Sequence, residues 1–232
     1  MAAMNLSRSQ VDPRRSATAA AAARRPSELP TINIVEDDVG FRIALSELFR
    51  SAGHEVRQFG DANAFMASGK ATSPGCLVLD IQLPHLNGLD FQAQLSKSGI
   101  HMPVILMSGQ GDIPMSVRGM KAGAIDFLPK PFEDSAILAA VAAALLRDAD
   151  TRMKHDEMAG LRERFDSLSS REREVLTNVV EGQMNKQIAF KLSISEVTVK
   201  IHRGNVMRKM GARTFAALVR MTEVLRNHSQ SK

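Results

Sequence analysis

The feature that most constrains the fold lies between residues 31 and 146. There, short apolar runs alternate repeatedly with segments of helical periodicity. Each run has the length of a buried strand, and each is followed closely by apolar residues at helical spacing. The predicted strands are residues 32–35, 56–59, 77–79, 103–107 and 125–128, and the predicted helices are residues 39–52, 62–68, 89–95, 113–122 and 134–146. This order predicts an α/β fold, a doubly wound sheet of five parallel strands with helices on both faces.

Charge divides the chain into an acidic and a basic part. Residues 31–150 carry 9 basic and 14 acidic side chains, whereas residues 151–232 carry 16 basic and 9 acidic ones. Basic side chains gain affinity for nucleic acid by releasing counterions from phosphate, although an anionic membrane surface attracts them too. Because no apolar stretch is long enough to span a bilayer, we expect a cytoplasmic protein without a membrane partner.

Residues 1–29 differ in composition from the rest of the chain. They are rich in Arg, Ser, Pro and Ala and offer nothing that could pack a core, so we expect a disordered leader. An organelle transit peptide has a similar composition and is the alternative. The single cysteine, Cys76, excludes an intramolecular disulfide and lies in an apolar run, where a buried side chain is expected.

Polar side chains follow four of the five predicted strands. They are Asp37 and Asp38 after the first strand, Asp80 after the third, Ser108 after the fourth and Lys130 after the fifth. Parallel strands bring their carboxyl ends to one edge of a sheet, which is where ligands bind. Three carboxylates at one place repel one another, so Mg²⁺ is the expected partner. The alternatives are that the acidic triplet Glu36-Asp37-Asp38 is a solvated loop and that Asp80 only caps a turn.

The C-terminal segment carries the pattern of a helix-turn-helix. Ser169 and Glu172 form a capping box before a helix that ends at Gly182, and a second helix begins at Asn185. Ser195 is the expected N-cap of a third helix, which runs to Met210. A connection this short between the last two helices predicts a DNA-binding helix-turn-helix whose second helix enters the major groove.

Several side chains of this segment are candidate DNA contacts. Those expected to face the bases are Lys200, Arg203 and Ile201, and those expected to contact phosphates are Lys186, Thr198 and Lys209. Ordinary solvation of a basic face is the alternative. The expected core residues of the third helix are Val197, Val199, Val206 and Met210. Gly204 inside this helix is unusual, since glycine there costs about 1 kcal/mol relative to alanine, and a close approach of DNA is one explanation.

Taken together, these motifs resemble a known family. The first part of the chain resembles the receiver domain of two-component response regulators. The residues that carry this resemblance are the acidic pair Asp37-Asp38, Asp80 in Asp-Ile-Gln-Leu-Pro-His-Leu-Asn-Gly, Ser108 after Val-Ile-Leu-Met, and Lys130 in Phe-Leu-Pro-Lys-Pro-Phe. The C-terminal segment resembles a LuxR-type DNA-binding domain. Its matching motifs are Leu-Ser-x-Arg-Glu-x-Glu-Val-Leu from residue 168, Asn-Lys-x-Ile-Ala from residue 185 and Ser-Glu-x-Thr-Val-Lys-x-His from residue 195. The combination resembles the FixJ-type regulators.

The resemblance implies a flavodoxin-like receiver with a phosphoacceptor site. Asp80 would take a phosphoryl group from a phosphohistidine of a sensor histidine kinase, with Lys130 and Ser108 contacting the phosphoryl oxygens. Mg²⁺ would be held by Asp38, Asp80 and the backbone of Gln82, with Asp37 acting through a bound water. Ser108 and Phe127 would form the conformational switch. The resemblance also implies a cis peptide bond at Lys130-Pro131.

Two other chemistries fit the residues poorly. A haloacid-dehalogenase-type phosphatase needs a second acid two residues after its nucleophile, and Gln82 at that position cannot protonate a leaving group. Gly109-Gln110-Gly111 hints at a dinucleotide loop, but Pro114 occupies its sixth position and the required strand context is missing. We therefore expect no dedicated enzyme activity, beyond accepting a phosphoryl group and losing it by autodephosphorylation.

The expected organisation is a leader at 1–29, a receiver at 30–147, a linker of helical character at 148–165 and a LuxR-type domain at 166–228. Phosphorylation would promote homodimerisation, with Phe215, Val219 and Met221 of the last helix pairing two subunits on two-fold related DNA half-sites. RNA polymerase is a further expected partner of a bacterial, nucleoid-associated regulator. The alternative function is a DNA-binding regulator that works without phosphorylation, in which the receiver serves only for dimerisation or partner docking.

Overall fold

The computed structural model describes residues 29–84, 86–109 and 113–230, so the predicted leader lies outside the described residues except for Leu29. The described residues divide into two compact units, the first ending at Leu145 and the second beginning at Leu146. The strands are β1 (Thr31–Val35), β2 (Glu55–Phe59), β3 (Gly75–Asp80), β4 (Gln82–Leu83), β5 (Leu86–Asn87), β6 (Val104–Ser108) and β7 (Asp126–Pro129). The helices are α1 (Val39–Ser51), α2 (Ala62–Ala67), α3 (Gly88–Lys97), α4 (Ile113–Lys121), α5 (Asp134–Asp166), α6 (Ser170–Val180), α7 (Asn185–Leu192), α8 (Glu196–Met210) and α9 (Phe215–Gln230).

The first unit is built on a sheet of five parallel strands in the order β2-β1-β3-β6-β7. Helices cover both faces, because successive residues of a strand point to opposite sides of the sheet. Leu77 and Leu79 of β3 belong to one hydrophobic core, and Cys76 and Val78 belong to the other. The predicted doubly wound α/β fold is confirmed.

A small antiparallel pair, β4 with β5, was not predicted. It spans only two residues per strand, in the segment that leads from Asp80 to α3. Strands this short carry no periodicity that a sequence could reveal.

The predicted end of the fifth helix at Leu146 is wrong, because α5 continues without interruption to Asp166. The segment predicted as a helical linker is therefore part of the same helix. No proline occurs between Leu146 and Asp166, and ion pairs between residues four apart support the continuation. Arg152 contacts Asp148, and Lys154 contacts Asp150, each at 2.7 Å.

The second unit is a bundle around its own core, to which the end of α5 and all of the helices α6 to α9 contribute. Its centre is formed by fully buried residues of α6, α7 and α8, namely Val175, Ile188, Val199 and Met210. The predicted small all-α domain is thus present. None of the described helices is long and apolar enough to cross a membrane.

Candidate functional site

Three carboxylates meet at the carboxyl edge of the parallel sheet. Glu36 follows β1 directly and Asp80 ends the neighbouring strand β3, so the parallel register brings them together with Asp37. One carboxylate oxygen of each of the three lies within 4.8 Å of the other two. Glu36 and Asp80 are buried, whereas Asp37 is exposed. Two of the three carboxylates at this edge are therefore shielded from solvent, and the third is accessible to it.

Lys130 joins the two buried carboxylates. Its Nζ donates hydrogen bonds to Oε2 of Glu36 at 2.7 Å and to Oδ2 of Asp80 at 2.8 Å, and it lies 4.4 Å from the centre of the Phe41 ring. The backbone N–H of Lys130 donates to the carbonyl of Ser108 at 2.7 Å, which fixes the residue beside the end of β6. The peptide bond to Pro131 is cis, as the resemblance implied.

The electrostatics of this edge show a shortage of positive charge. Burial raises the pKa of Glu36 above its ordinary value; the hydrogen bond from Lys130 opposes this effect and the charge of Asp80 adds to it. Burial also disfavours the charged form of Lys130, but hydrogen bonds to Asp80 and Glu36 outweigh it and raise the pKa of the ammonium group. Lys130 contacts two of the three carboxylates, and the Arg42 guanidinium nearby donates to the backbone carbonyls of Glu36 and Asp37. The three carboxylates therefore outnumber these two cations. A hard divalent cation with oxygen ligands, such as Mg²⁺, matches that excess.

The prediction of Asp38 as a metal ligand differs from the structure, which places Glu36 in the acidic group instead. Asp38 is the N-cap of α1, and its Oδ1 accepts the N–H of Phe41 at 2.7 Å. Because α1 begins at Val39, a cap at Asp38 follows from the helix boundary, and the sequence contained this signal. The acidic pair at the sheet edge is therefore Glu36-Asp37, one residue earlier than predicted.

The loop after Asp80 holds its carboxylate in place. The backbone N–H of Gln82 donates to Oδ1 of Asp80 at 3.1 Å, and the N–H of Gly88 donates to the carbonyl of Ile81 at 2.9 Å. A Cβ atom on Gly88 would lie 2.4 Å from the backbone oxygen of Asp80, so only glycine fits at this position. The carboxylate is thus oriented by backbone contacts on one side and by Lys130 on the other.

The two predicted switch residues lie on the strands next to this edge. Ser108 is fully buried at the end of β6 and pairs with Pro129 of β7. Phe127 of β7 is partly buried and packs against the core beneath α4. A Cβ on Gly119 of α4 would lie 2.4 Å from Cδ1 of Leu106 and 3.8 Å from the Phe127 ring, so α4 lies very close to the sheet here.

The second unit contains the predicted helix-turn-helix. Ser169 and Glu172 form the capping box of α6, and the Ser195 side chain caps α8 by accepting the N–H of Thr198 at 3.0 Å. The turn between α7 and α8 passes through Ser193, whose backbone is left-handed with φ 54° and ψ 46°. Ile188 of α7 and Val199 of α8 pack into the core, which fixes the two helices against each other.

The outer face of α8 is more apolar than predicted. Val197, which was expected in the core, is 66% exposed, and Ile201 is 59% exposed. Lys200 is exposed between them. The prediction for Val197 is therefore wrong, while Val199, Val206 and Met210 are buried as expected. Val197 belongs to the first turn of α8 and lies outside the core of the unit.

The other candidate DNA contacts have different surroundings. Lys186 is exposed on α7, and the Thr198 hydroxyl is hydrogen-bonded to the Ser195 hydroxyl at 2.8 Å. Arg203 is partly buried and donates to Oδ1 of Asn185 at 2.8 Å. This contact holds α8 to α7, so the predicted base-facing position of Arg203 differs from the structure.

Lys209 also differs from its predicted role. Its Nζ donates to Oε2 of Glu172 at 2.6 Å and to the carbonyl of Ser167 at 3.1 Å. The hydrogen bond from Lys209, followed by one from the backbone of Ser169, lowers the pKa of Glu172 below its ordinary value. Lys209 lies on the side of α8 that faces α6, and it is an internal structural contact rather than a free phosphate ligand.

The three predicted dimer residues occupy different positions on α9. Phe215 is 44% exposed, Val219 is partly buried, and Met221 is partly buried against the core of the unit. Only Phe215 of these three presents a large apolar surface to solvent.

Comparisons with known proteins match both units to known domains. Residues 32–142 match the response regulator receiver domain, and residues 166–222 match the bacterial regulatory proteins of the luxR family. Nodulation protein W of Bradyrhizobium diazoefficiens is 49% identical over 200 residues, covering 85% of this chain and 88% of that protein. The transcriptional regulatory protein FixJ of Azorhizobium caulinodans is 44% identical over 196 residues, covering 84% of this chain and 92% of that protein.

Solved structures lead to the same class. The response regulator StyR superimposes with a TM-score of 0.79 at 44% identity, over 84% of this chain and 99% of that one. Full-length FixJ from B. japonicum gives a TM-score of 0.52 at 36% identity, over 84% of this chain and 96% of that one. The acidic sheet edge and the helix-turn-helix define a signalling protein with a DNA-binding output. The chain belongs to the two-component response regulators, with a receiver domain followed by a LuxR-type DNA-binding domain.

Proposed function

We propose that Asp80 accepts a phosphoryl group from a phosphohistidine of a sensor histidine kinase, and that this reaction switches the DNA-binding unit on. The observation that carries the proposal is the buried Asp80 carboxylate at the end of β3, held 2.8 Å from Lys130 beside two further carboxylates. A carboxylate oxygen of Asp80 forms the new bond to phosphorus, and the bond from phosphorus to the imidazole nitrogen breaks.

The residues at this edge divide the work of the transfer. Asp37, Asp80 and the backbone carbonyl of Gln82 would hold Mg²⁺, with Glu36 completing the acidic group. When bound, the ion neutralises charge that accumulates on the phosphoryl oxygens. Lys130 already contacts Asp80, so its ammonium group is placed to pair with a phosphoryl oxygen on that carboxylate. The Ser108 hydroxyl would donate to another of these oxygens.

The output of the switch is dimerisation and binding to two-fold related half-sites in DNA. Movement of Ser108 and Phe127 would reshape the packing of α4, which lies directly over Phe127. The face of α4 supports self-association, since Ile113, Val117 and Met120 are exposed at helical spacing. Phe215 of α9 is the best-placed candidate for pairing the DNA-binding units. RNA polymerase would then be engaged at the bound promoter, in the cytoplasm at the nucleoid.

Covalent labelling tests this proposal. The full chain is incubated with Mg²⁺ and a small phosphodonor such as acetyl phosphate, and the labelled residue is located by mass spectrometry. We expect one hydroxylamine-sensitive acyl phosphate, which Asp80→Asn abolishes. Asp90→Asn is the matched control, because Asp90 is an exposed carboxylate of the same unit that pairs only at the surface with Arg118. Labelling that persists in Asp80→Asn contradicts the proposal.

The exposed α4 face also favours the second candidate function, a regulator whose receiver dimerises without phosphorylation. Under that function, Asp80→Asn would bind its operator as tightly as the wild type, with or without the phosphodonor. Under the proposed function, the phosphodonor strengthens DNA binding by the wild type alone.

A further inference from the structure

Five exposed residues of α8 form one narrow strip along the helix, namely Val197, Lys200, Ile201, Gly204 and Arg208. At 3.6 residues per turn, the positions of these five fall within a sector of about 100°. Glu196 in the first turn is also exposed, but it lies to one side of the strip. The buried residues Val199, Val206 and Met210 lie outside this sector and anchor the helix to its own unit. The strip is therefore the part of α8 that is free to contact a partner.

Two large apolar side chains stand on this strip. Val197 and Ile201 are one helical turn apart, and both are more than half exposed, although β-branched residues are not favoured in helices. Neither residue belongs to the core of the second unit, so folding does not require either of them. On a helix that enters the major groove, such side chains match one group there, the C5-methyl group of thymine.

Gly204 lies near the middle of the same strip. Glycine is unfavourable inside a helix, and internal crowding does not require it here, because a Cβ on Gly204 would meet nothing within 4 Å. A glycine is also the residue that lets another molecule come closest to a helix backbone. Its position, one turn beyond Lys200 and Ile201, places the bare backbone next to the apolar pair.

We infer that Val197 and Ile201 recognise thymine C5-methyl groups in each operator half-site, and that Gly204 admits the DNA close to the axis of α8. The inference rests on the proposed DNA-binding function and adds the kind of base that the site selects. Lys200, beside the apolar pair, supplies the hydrogen bonds to a neighbouring base. Thymines adjacent to that base would be part of the recognised sequence, and their methyl groups would carry affinity.

The test begins with selection of high-affinity sites from random duplex DNA by the full chain, with Mg²⁺ and phosphodonor present. Each thymine of the selected half-site is then replaced by deoxyuridine, which removes only the methyl group. Burial of one methyl group is worth about three- to fivefold in affinity, so the wild type should weaken by that factor at the contacted thymines. Val197→Ala and Ile201→Ala should each lose this sensitivity at one thymine and keep it at the other.

A pair of glycine variants tests the second half of the inference. Gly160 of α5 is a matched control, because it is also helical and a Cβ there also meets nothing within 4 Å. Gly204→Ala and Gly160→Ala should both raise Tm, since alanine favours helix at each position. Only Gly204→Ala should weaken binding to the selected site, by about tenfold or more, while Gly160→Ala binds as the wild type does.

The outcomes separate this inference from the function on which it rests. Recovery of no sequence from the selection overturns both. Thymine recognition is overturned if every thymine of the selected site can be replaced by deoxyuridine without loss of affinity. It is also overturned if the alanine variants keep the same sensitivity to deoxyuridine as the wild type. In both cases the DNA-binding function itself is unaffected. A Gly204→Ala variant that binds as tightly as the wild type overturns the close approach of DNA.

Discussion

The Nζ atom of Lys130 lies 2.8 Å from Oδ2 of Asp80, at the edge where the parallel strands end. The same ammonium group contacts Glu36 at 2.7 Å, so one cation serves two buried carboxylates. This relationship gives Lys130 opposite effects on the two ligands expected at the site. It repels a metal cation that shares the carboxylates, and it attracts a phosphoryl group on Asp80.

Lys130→Met should therefore change metal binding and phosphorylation in opposite directions. Removing the ammonium group should strengthen Mg²⁺ binding severalfold and slow labelling by acetyl phosphate by about tenfold or more. Calorimetric Mg²⁺ titration and a labelling time course measure the two effects. Weaker Mg²⁺ binding together with unchanged labelling would show that Lys130 has only a structural role.

Metal binding should depend on Glu36 and Asp37 but not on Asp38. Asp37→Asn and Glu36→Gln each remove one negative charge from the acidic group and should weaken Mg²⁺ binding, by about tenfold for Asp37→Asn. Asp38→Ser is the control, because serine retains the N-cap of α1 and leaves the acidic group intact. A loss of Mg²⁺ affinity in Asp38→Ser equal to that in Asp37→Asn would restore the acidic pair predicted from the sequence.

The contact between Glu172 and Lys209 should make the second unit sensitive to acid. The pKa of Glu172 is lowered in the folded state, so its contribution to stability is complete above its ordinary pKa of 4.5. This contribution is lost as the pH falls through the lowered folded-state pKa. Glu172→Gln keeps the capping hydrogen bonds but loses the ion pair, and it should cost about 1–2 kcal/mol near neutral pH. Thermal unfolding measured near pH 7 and near pH 3 should show that the difference in Tm between wild type and variant becomes smaller in acid. A Tm difference that stays the same at both pH values would contradict the ion-pair account.

Ser193, in the turn of the helix-turn-helix, occupies a position whose backbone conformation favours glycine. Ser193 has a left-handed backbone with φ 54°, and this conformation disfavours a side chain with a Cβ atom. Ser193→Gly should stabilise the second unit by about 0.5–1 kcal/mol, measured as a higher Tm. Ser193→Ala, which keeps the Cβ, should give no such gain. A lower Tm for Ser193→Gly would show that the serine side chain contributes more than its backbone strain costs.

Periodicity predicted the sheet and its helices because β1, β3 and β6 are buried along their whole length and the helices that pack on the sheet have apolar sides. The extension of α5 to Asp166 was harder to predict, because mixed charges dominate residues 147–160 and the apolar residues that pack into a core, Leu161 and Phe165, come only near the end of the helix. At the sheet edge, Asp80, Lys130 and Ser108 were predicted from their positions after strands. Glu36 was missed because three consecutive acids offer two possible pairs, and the N-cap position of Asp38, which decides between the pairs, was not taken into account.

Three side chains of α8 have surroundings that their chemical character did not predict. Lys209 and Arg203 have the charge expected of DNA contacts, but both are held by internal hydrogen bonds. Val197 has the apolar character expected of a core residue, yet it is exposed. In each case the side of α8 on which the residue lies decides its role, and that side depends on how α8 packs against α6 and α7.

The measurement that tests the central claim most directly is sedimentation of the full chain with and without Mg²⁺ and acetyl phosphate, repeated for Asp80→Asn. The phosphorylation switch predicts that the wild type shifts from monomer to dimer with the phosphodonor, whereas Asp80→Asn stays monomeric. A wild type that does not respond, or a variant that dimerises equally, would contradict Asp80 as the phosphoacceptor that controls this regulator.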